Sequence, residues 1–274
     1  MNNLLSPSDS DHGTRIPVLM YHEVTDIAEG RRKTRHMHPC YSLSTQQFEN
    51  QMEYLSQNDY KTISLQSLFN KDYTNDKSVV ITFDDGFIGN YKNALPILNK
   101  YNFSATIFAI VQKISTESYL NWEQLKELKD NGISIQSHTM SHRPLGQLND
   151  EEVYFELSES KKIIEDKLGQ SVKYVSLPHG SFKKNLIDIA RELGYCGICS
   201  SNIEYVRPMD IKFTVGRIPI KNKCKIGDFE KIISENRLRI FNCMLVECAK
   251  RGLSRMIGLN NYRIIYRCIF RLKL

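Results

Sequence analysis

The sequence predicts an α/β protein, a parallel sheet with helices packed outside it. Two observations predict this. Short apolar runs rich in β-branched residues alternate with amphipathic segments through the middle of the chain, the pattern of strand–helix units around one sheet. The run Ser78-Val-Val-Ile-Thr-Phe83 lacks polar alternation, as expected of a strand buried on both faces. The pattern suits an open sheet or one closed into a barrel. In both, chemistry gathers at the carboxyl ends of the strands, so the residues just after each predicted strand carry the functional question.

The elements follow in order. Residues 1–15 are polar and read as a flexible lead. Ile16–Tyr21 is a short apolar strand, and residues 25–42 are a polar, basic loop containing His36 and His38. Ser44 caps a helix to Leu55 with Phe48, Met52 and Leu55 on one face. Ser64–Phe69 begins a second short helix. After Ser78–Phe83 come a helix around Ala94–Tyr101 and a strand over Ala105–Ile110. Asn121 caps a helix from Trp122 to Lys129, with Gly132 as its stop. A strand over Ile133–Gln136 and a long helix over Asp150–Leu168, ended by Gly169, come next. Val172–Ser176 is a strand, and Leu186–Leu193 a helix stopped by Gly194.

Composition narrows the class. At 274 residues, with 41% hydrophobic and 25% charged residues, the chain is long enough for one αβ barrel and has the balance of a globular protein. The start is polar, without a basic segment leading into an apolar run, so a secretory signal is not expected. No run of about 18 apolar residues suggests a spanning helix, and the expected address is cytoplasmic. Seven cysteines is an odd count and fits reduced thiols better than a disulfide framework. Cys196 and Cys199 form a C-x-x-C, read here as part of a buried strand after a helix rather than a redox pair. Residues 237–274 hold nine Lys and Arg against one acid, leaving 28 basic and 30 acidic residues elsewhere. The net +6 therefore belongs to the tail.

Four strand ends carry polar residues of chemical interest. Asp84 and Asp85 follow the strand ending at Phe83, and Gly86 lets the chain turn. Neighbouring residues leaving a strand point in different directions, so one carboxylate can bind a metal while the other stays free as a base. His138 and His142 follow the next-but-one strand, and a helical turn would bring both imidazoles to one point. Two imidazoles and one carboxylate make an open divalent-metal site. Pro178-His179-Gly180 follows the strand ending at Ser176 and offers a backbone N–H for an oxyanion. His22 follows Tyr21 and is a candidate proton donor. Alone, each of these is as readily a solvated turn or a structural histidine. Their common position at strand ends is what argues for a site.

Together these residues resemble the polysaccharide deacetylases, carbohydrate esterase family four, also described as NodB-homology domains. The resemblance rests on Ile81-Thr-Phe-Asp-Asp-Gly86, Ser137-His-Thr-Met-Ser-His142 and Leu177-Pro-His-Gly180, and extends over about residues 16–200. It implies a distorted (β/α) barrel of about seven parallel strands, taken over residues 16–222; the charge and apolar pattern of the remainder reads as a basic amphipathic helical tail over 223–274. The resemblance implies that Asp85, His138 and His142 hold a divalent metal, with zinc expected and cobalt or nickel tolerated. It implies that Asp84 is the general base. Three departures stand out. Ser176 occupies the place of the family arginine, so Asp84 is expected to lack its orienting partner. His179 replaces the family tyrosine. The C-terminal Leu-x-His that supplies the acid is missing, and the nearest segment is Arg217-Ile-Pro-Ile220. The exopolysaccharide-type subset carries this histidine near the N-terminus, and Met20-Tyr21-His22 resembles that arrangement, which assigns the acid to His22.

The expected reaction is metal-dependent removal of N-acetyl groups from N-acetylglucosamine-type sugars in a polysaccharide or lipid-linked glycan. The alternatives are a deformylase or deacylase of a lipid-linked sugar, and a barrel that only binds glycans. In the tail, Arg263, Arg267 and Arg271 recur beside Ile264, Ile265, Cys268 and Ile269, the pattern of an interfacial helix. Residues 237–274 are thus expected to give peripheral contact with the inner membrane face. No nucleic-acid partner is expected.

Overall fold

The computed structural model describes residues 15–25, 39–73 and 77–234. The chain divides into two compact units, residues 1–230 and 231–274. The barrel lies in the first; of the second, residues 231–234 are described. The lead read as flexible, most of the 25–42 loop, and the 237–274 segment expected to contact a membrane lie outside the described residues. No helix among the described residues is long and apolar enough to cross a membrane.

In chain order the elements are β1 (Val18–Tyr21), β2 (Glu23–Val24), β3 (Ser42–Leu43), α1 (Thr45–Gln57), β4 (Lys61–Thr62), α2 (Leu65–Asn70) and β5 (Ser78–Phe83). Then come α3 (Leu95–Lys100), β6 (Thr106–Ala109), α4 (Trp122–Asp130), β7 (Ser134–Ser137), α5 (Asp150–Leu168) and β8 (Tyr174–Ser176). The series ends with α6 (Leu186–Glu192), β9 (Gly197–Cys199), β10 (Thr214–Val215), β11 (Ile218–Pro219) and α7 (Ile226–Ile233). The expected helices are present within a residue or two. Ser44, Ser64, Asn121 and Asn149 accept their capping bonds, and α5 ends at Gly169 in the left-handed region.

All strand pairs are parallel, in the order β10-β9-β8-β7-β6-β5-β1-β11. β10 and β11 are two halves of one stretch. Its first half pairs with β9 (Val215 with Cys199) and its second with β1 (Leu19 with Ile218). One stretch therefore joins both sheet edges, and seven strand positions make the distorted barrel. Gly216 sits at the bend between the halves. A Cβ there would lie 2.6 Å from the Asn202 carbonyl, so the close approach requires glycine. This closing stretch was not read from the sequence, because Arg217 and Pro219 interrupt any apolar run. β4 pairs with the start of β5, and β2 with β3 outside the main sheet.

The period of two along each strand decides what enters the barrel. Val18, Val80, Phe108, Tyr174, Cys199 and Val215 form one buried cluster with Leu65 and Leu68 of α2. Two residues further along the same faces come Thr82, Ser176 and Arg217, and then Asp84. The apolar layer thus passes directly into a polar one at the carboxyl ends.

α1 covers the β1–β5 face. Phe48 is fully buried and meets Tyr21 edge-on at 5.3 Å and Phe83 at 5.7 Å. The Tyr21 hydroxyl donates to Gln51 Oε1 at 2.8 Å. Phe48→Ala should lower the unfolding free energy by about 3–5 kcal/mol, the usual cost of truncating a buried phenylalanine. Urea unfolding checks this; a loss below about 1 kcal/mol would mean that α1 does not depend on this contact.

Candidate active site

Asp84 and Asp85 leave β5 in opposite directions. Asp84 is 3% exposed and continues the interior face of Val80 and Thr82. Asp85 takes φ 73° and Gly86 φ 77°. This left-handed pair reverses the chain and carries the second carboxylate over the strand end.

Asp84 is not free. Arg217, fully buried, spans both of its oxygens: Nη1 lies 2.7 Å from Oδ1 and Nη2 lies 2.8 Å from Oδ2. Arg217 Nη2 also donates to Ser176 Oγ at 2.7 Å, and that hydroxyl donates to Asp84 Oδ2 at 3.1 Å. Thr82 Oγ1 accepts from Arg217 Nη1 at 3.2 Å. This corrects the expectation that Asp84 lacks an orienting partner. The arginine comes from the β10–β11 bend, 133 residues along the chain, and serine fills the expected arginine place to complete its shell. Arg217-Ile-Pro-Ile220, the segment nearest to the missing acid motif, thus supplies the partner of Asp84. Burial alone would raise the Asp84 pKa, but the Arg217 guanidinium outweighs it and holds the carboxyl well below its usual range.

The second carboxylate meets two histidines. Asp85 Oδ1 lies 3.3 Å from His138 Nε2 and 3.4 Å from His142 Nε2. Ligand atoms of the three residues all fall within 4.8 Å of one another. The helical turn expected between the histidines is not what joins them. Residues 138–142 form a loop, with Thr139 at φ 67° and His142 at φ 64°. α5 holds this loop: buried Glu156 accepts from the Ser141 N–H at 2.8 Å and from its hydroxyl. Ser160 Oγ lies 2.7 Å from Ser137 Oγ, which accepts from the Thr139 N–H. Neither Glu156 nor Ser160 was singled out in the sequence, where both look like ordinary helix positions.

The trio fits a divalent ion. Asp85 Oδ1 is buried and has no hydrogen-bond partner among the described residues, although two imidazole nitrogens face it. A divalent ion between the three residues would satisfy that oxygen. His138 Nδ1 lies 2.9 Å from the Ser176 carbonyl, which orients the ring and leaves Nε2 toward Asp85. Side-chain exposure rises from 3% at His138 through 14% at Asp85 to 26% at His142, so the site opens on the His142 side. There the exposed His179 meets His142 with ring centroids 4.8 Å apart. His179 takes φ 57° within the Pro178–Gly180 turn. Pro178 has no N–H, and the Gly180 N–H donates to the Leu177 carbonyl at 3.0 Å. Pro178 and Gly180 therefore do not offer the backbone N–H that the sequence reading placed in this turn.

His22 completes the rim. Its ring stacks on Tyr41 at 4.4 Å. Burial lowers its pKa, with Asp85 and Asp84 opposing. All four histidines among the described residues therefore lie at this one barrel end. Cys196 and Cys199 do not join them. Cys199 is buried in β9 with its thiol pushed up to about 12 by burial, whereas Cys196 is exposed before the strand. The sequence reading of both as buried was half right.

Comparison with known proteins agrees with this geometry. Residues 71–198 match the polysaccharide deacetylase family profile. Those residues carry a polysaccharide deacetylase domain. It is 33% identical to the Bacillus subtilis protein YxkH over 185 residues, which cover 66% of this chain and 62% of that one. It thus spans under two thirds of that relative. It is 27% identical to a Staphylococcus aureus poly-β-1,6-N-acetyl-D-glucosamine N-deacetylase over 199 residues, covering 66% and 69% of the two chains. The crystal structure of the Streptococcus pyogenes deacetylase PplD, in complex with acetate, superimposes with a TM-score of 0.72 at 26% identity, over 81% of this chain and 99% of that one.

The neighbours set distinct proton affinities on the trio. Burial lowers His142, His138 adds to this, and its pKa falls to about 3. Burial also lowers His138, but Asp84 and Asp85 outweigh it and hold its pKa above the ordinary value. Burial raises Asp85, and the adjoining His138 outweighs that to bring it below the ordinary value. At pH 5.5, His142 and Asp85 are already in their ligand forms and His138 carries a proton. Zinc binding should therefore release about one proton per ion, measured by titration calorimetry in buffers of different ionisation enthalpy. Release of about two would mean that His142 titrates as an ordinary histidine.

Proposed function

We propose that this chain is a metal-dependent hydrolase that removes N-acetyl groups from N-acetylglucosamine-type sugars of a polysaccharide. One observation carries the reading. An Asp85/His138/His142 donor set stands beside a second carboxylate, Asp84, which is outside the set and held ionised by a buried arginine. A barrel that only bound glycans would need no such carboxylate next to a metal site. The named activities of the Staphylococcus aureus relative and of PplD, with acetate bound, support the same reaction and product.

A divalent ion held by Asp85, His138 and His142, zinc by its taste for imidazole and carboxylate with cobalt or nickel tolerated, would polarise the acetyl carbonyl and acidify a water. Asp84 takes a proton from the water as its oxygen attacks the carbonyl carbon. Arg217 fixes the direction of that carboxylate through two hydrogen bonds. The role read for the Pro178–Gly180 turn is to present a backbone N–H to the carbonyl oxygen as negative charge builds on it. His22 then gives a proton to the amine nitrogen as the C–N bond breaks, leaving acetate and a free amino sugar. A lipid-linked amino sugar offers the same amide. The basic tail, which lies outside the described residues, is the sequence feature that favours that form of substrate.

Asp84→Asn should keep bound zinc and lose about 100-fold or more in turnover, the scale of a lost general base. The assay is amine release from an N-acetylglucosamine oligosaccharide, with metal content measured on the same samples. Near-normal turnover in the variant, or no release by the wild-type protein with zinc, cobalt or nickel, would overturn the proposal.

A further inference from the structure

His22 is held by residues outside the deacetylase motifs. Its ring lies against Tyr41, with centroids 4.4 Å apart and planes within 30°. Tyr41 ends the short Pro39–Tyr41 turn just before β3, and the Lys221 ammonium lies 5.6 Å over its ring. The His22 carbonyl accepts a hydrogen bond from Asn90 Nδ2 at 2.7 Å. Asn90 is 1% exposed and opens a wide helical turn, Asn90–Ala94, that runs into α3. Such turns are uncommon inside helices and concentrate at functional sites. The next residues of the chain are fastened from the same turn. Asn93 Nδ2 donates to the Val24 carbonyl at 2.8 Å, and a Cβ at Gly89 would lie 2.1 Å from that oxygen.

Two buried polar atoms in this region have no hydrogen-bond partner among the described residues: His22 Nδ1 and Asn90 Oδ1. They belong to the same bonded residue pair. One nitrogen of an imidazole is a donor in its neutral form, and a carboxamide oxygen is an acceptor. Buried polar atoms of native proteins are nearly always satisfied, directly or through an ordered water. An Nδ1–H on His22, shared with Asn90 Oδ1 through one ordered water, would satisfy both. It leaves Nε2 as the nitrogen offered to the site.

We propose that Tyr41 and Asn90 are positioning residues for His22: the tyrosine face fixes the plane of the imidazole, and the buried amide fixes its tautomer with the proton on Nδ1. The proposal rests on reading His22 as the acid. In the step it serves, His22 acts as the imidazolium: Nε2–H gives its proton to the amine nitrogen, and the electron pair of the breaking C–N bond stays on that nitrogen. The imidazole is left neutral with its remaining proton on Nδ1, the form that Asn90 Oδ1 accepts. Asparagine suits this place because it accepts the bond without adding a third negative charge beside Asp84 and Asp85.

The test uses the zinc-loaded full chain and two substrates. An N-acetylglucosamine oligosaccharide has a poor amine leaving group, and p-nitrophenyl acetate has one that leaves without a proton. Tyr41→Leu and Asn90→Ala should lower amide turnover about tenfold or more beyond any loss on the ester, since small misplacements of a catalytic group carry costs of this order. Tyr41→Phe should recover most of the amide turnover. Nitrogen-15 NMR of the metal-free protein, with His22 assigned by its loss in His22→Ala, should show Nδ1–H in the wild type and mixed tautomers in Asn90→Ala. Equal losses on both substrates, a Tyr41→Phe as impaired as Tyr41→Leu, or an unchanged tautomer would overturn the proposal. If His22→Ala itself loses both activities equally, the reading of His22 as the acid has failed. If His22→Ala is selective for the amide and Tyr41→Leu is not, the positioning role alone has failed.

Discussion

A guanidinium and a carboxylate, both out of water, meet inside this barrel. Arg217 and Asp84 are 0% and 3% exposed and share two short hydrogen bonds. Removing two charges from water costs about several kcal/mol per ion, so such a pair adds little net stability. What it adds is geometry. Arg217 sits at the bend where one stretch of chain leaves β9 and joins β1, so the closure of the barrel and the orientation of Asp84 are one event. Ser176 and Thr82 complete the arginine's shell from two other strands. Losing the stretch would leave Asp84 buried without its countercharge, and burial would then drive its pKa up rather than down.

The rest of the site is arranged around that fixed point by backbone conformations that side-chain residues seldom adopt. Asp85, Thr139, His142 and His179 all have φ between 57° and 73°. Each such residue carries a local cost that the surroundings must offset. α5 supplies part of this through Glu156 and Ser160, which tie down the loop bearing both histidines. Four of the nine non-glycine residues with positive φ among the described residues thus lie in the loops of this one barrel end.

Much of this was legible in the sequence, for identifiable reasons. β5 was clear because six buried residues in a row leave no polar alternation to confuse. α5 was clear because its glycine stop follows simple capping chemistry, and the structure adds Asn149 as the cap at its start. Asp84, His138 and His22 drew attention because each directly follows a strand, with Asp85 and His142 in the same two loops. Arg217 escaped because its significance lies in a partner 133 residues away, and its strand halves are too short to show a period. The expectation of a helical turn between His138 and His142 failed because a spacing of four is compatible with more than one backbone path. Glu156 and Ser160 escaped because a buried polar residue on an amphipathic helix looks like any other until its partner is known.

The pair at the centre of this account can be read directly by carbon-13 NMR of the aspartate side chains, with Asp84 assigned by its loss in Asp84→Asn. In the metal-free protein Asp84 should remain ionised below the ordinary aspartate value of 3.8, to the lowest pH at which the fold persists. A carboxyl that takes up its proton at or above 3.8 would show that Arg217 does not overcome the cost of burial, and the account of Asp84 as a permanently ionised base would be wrong.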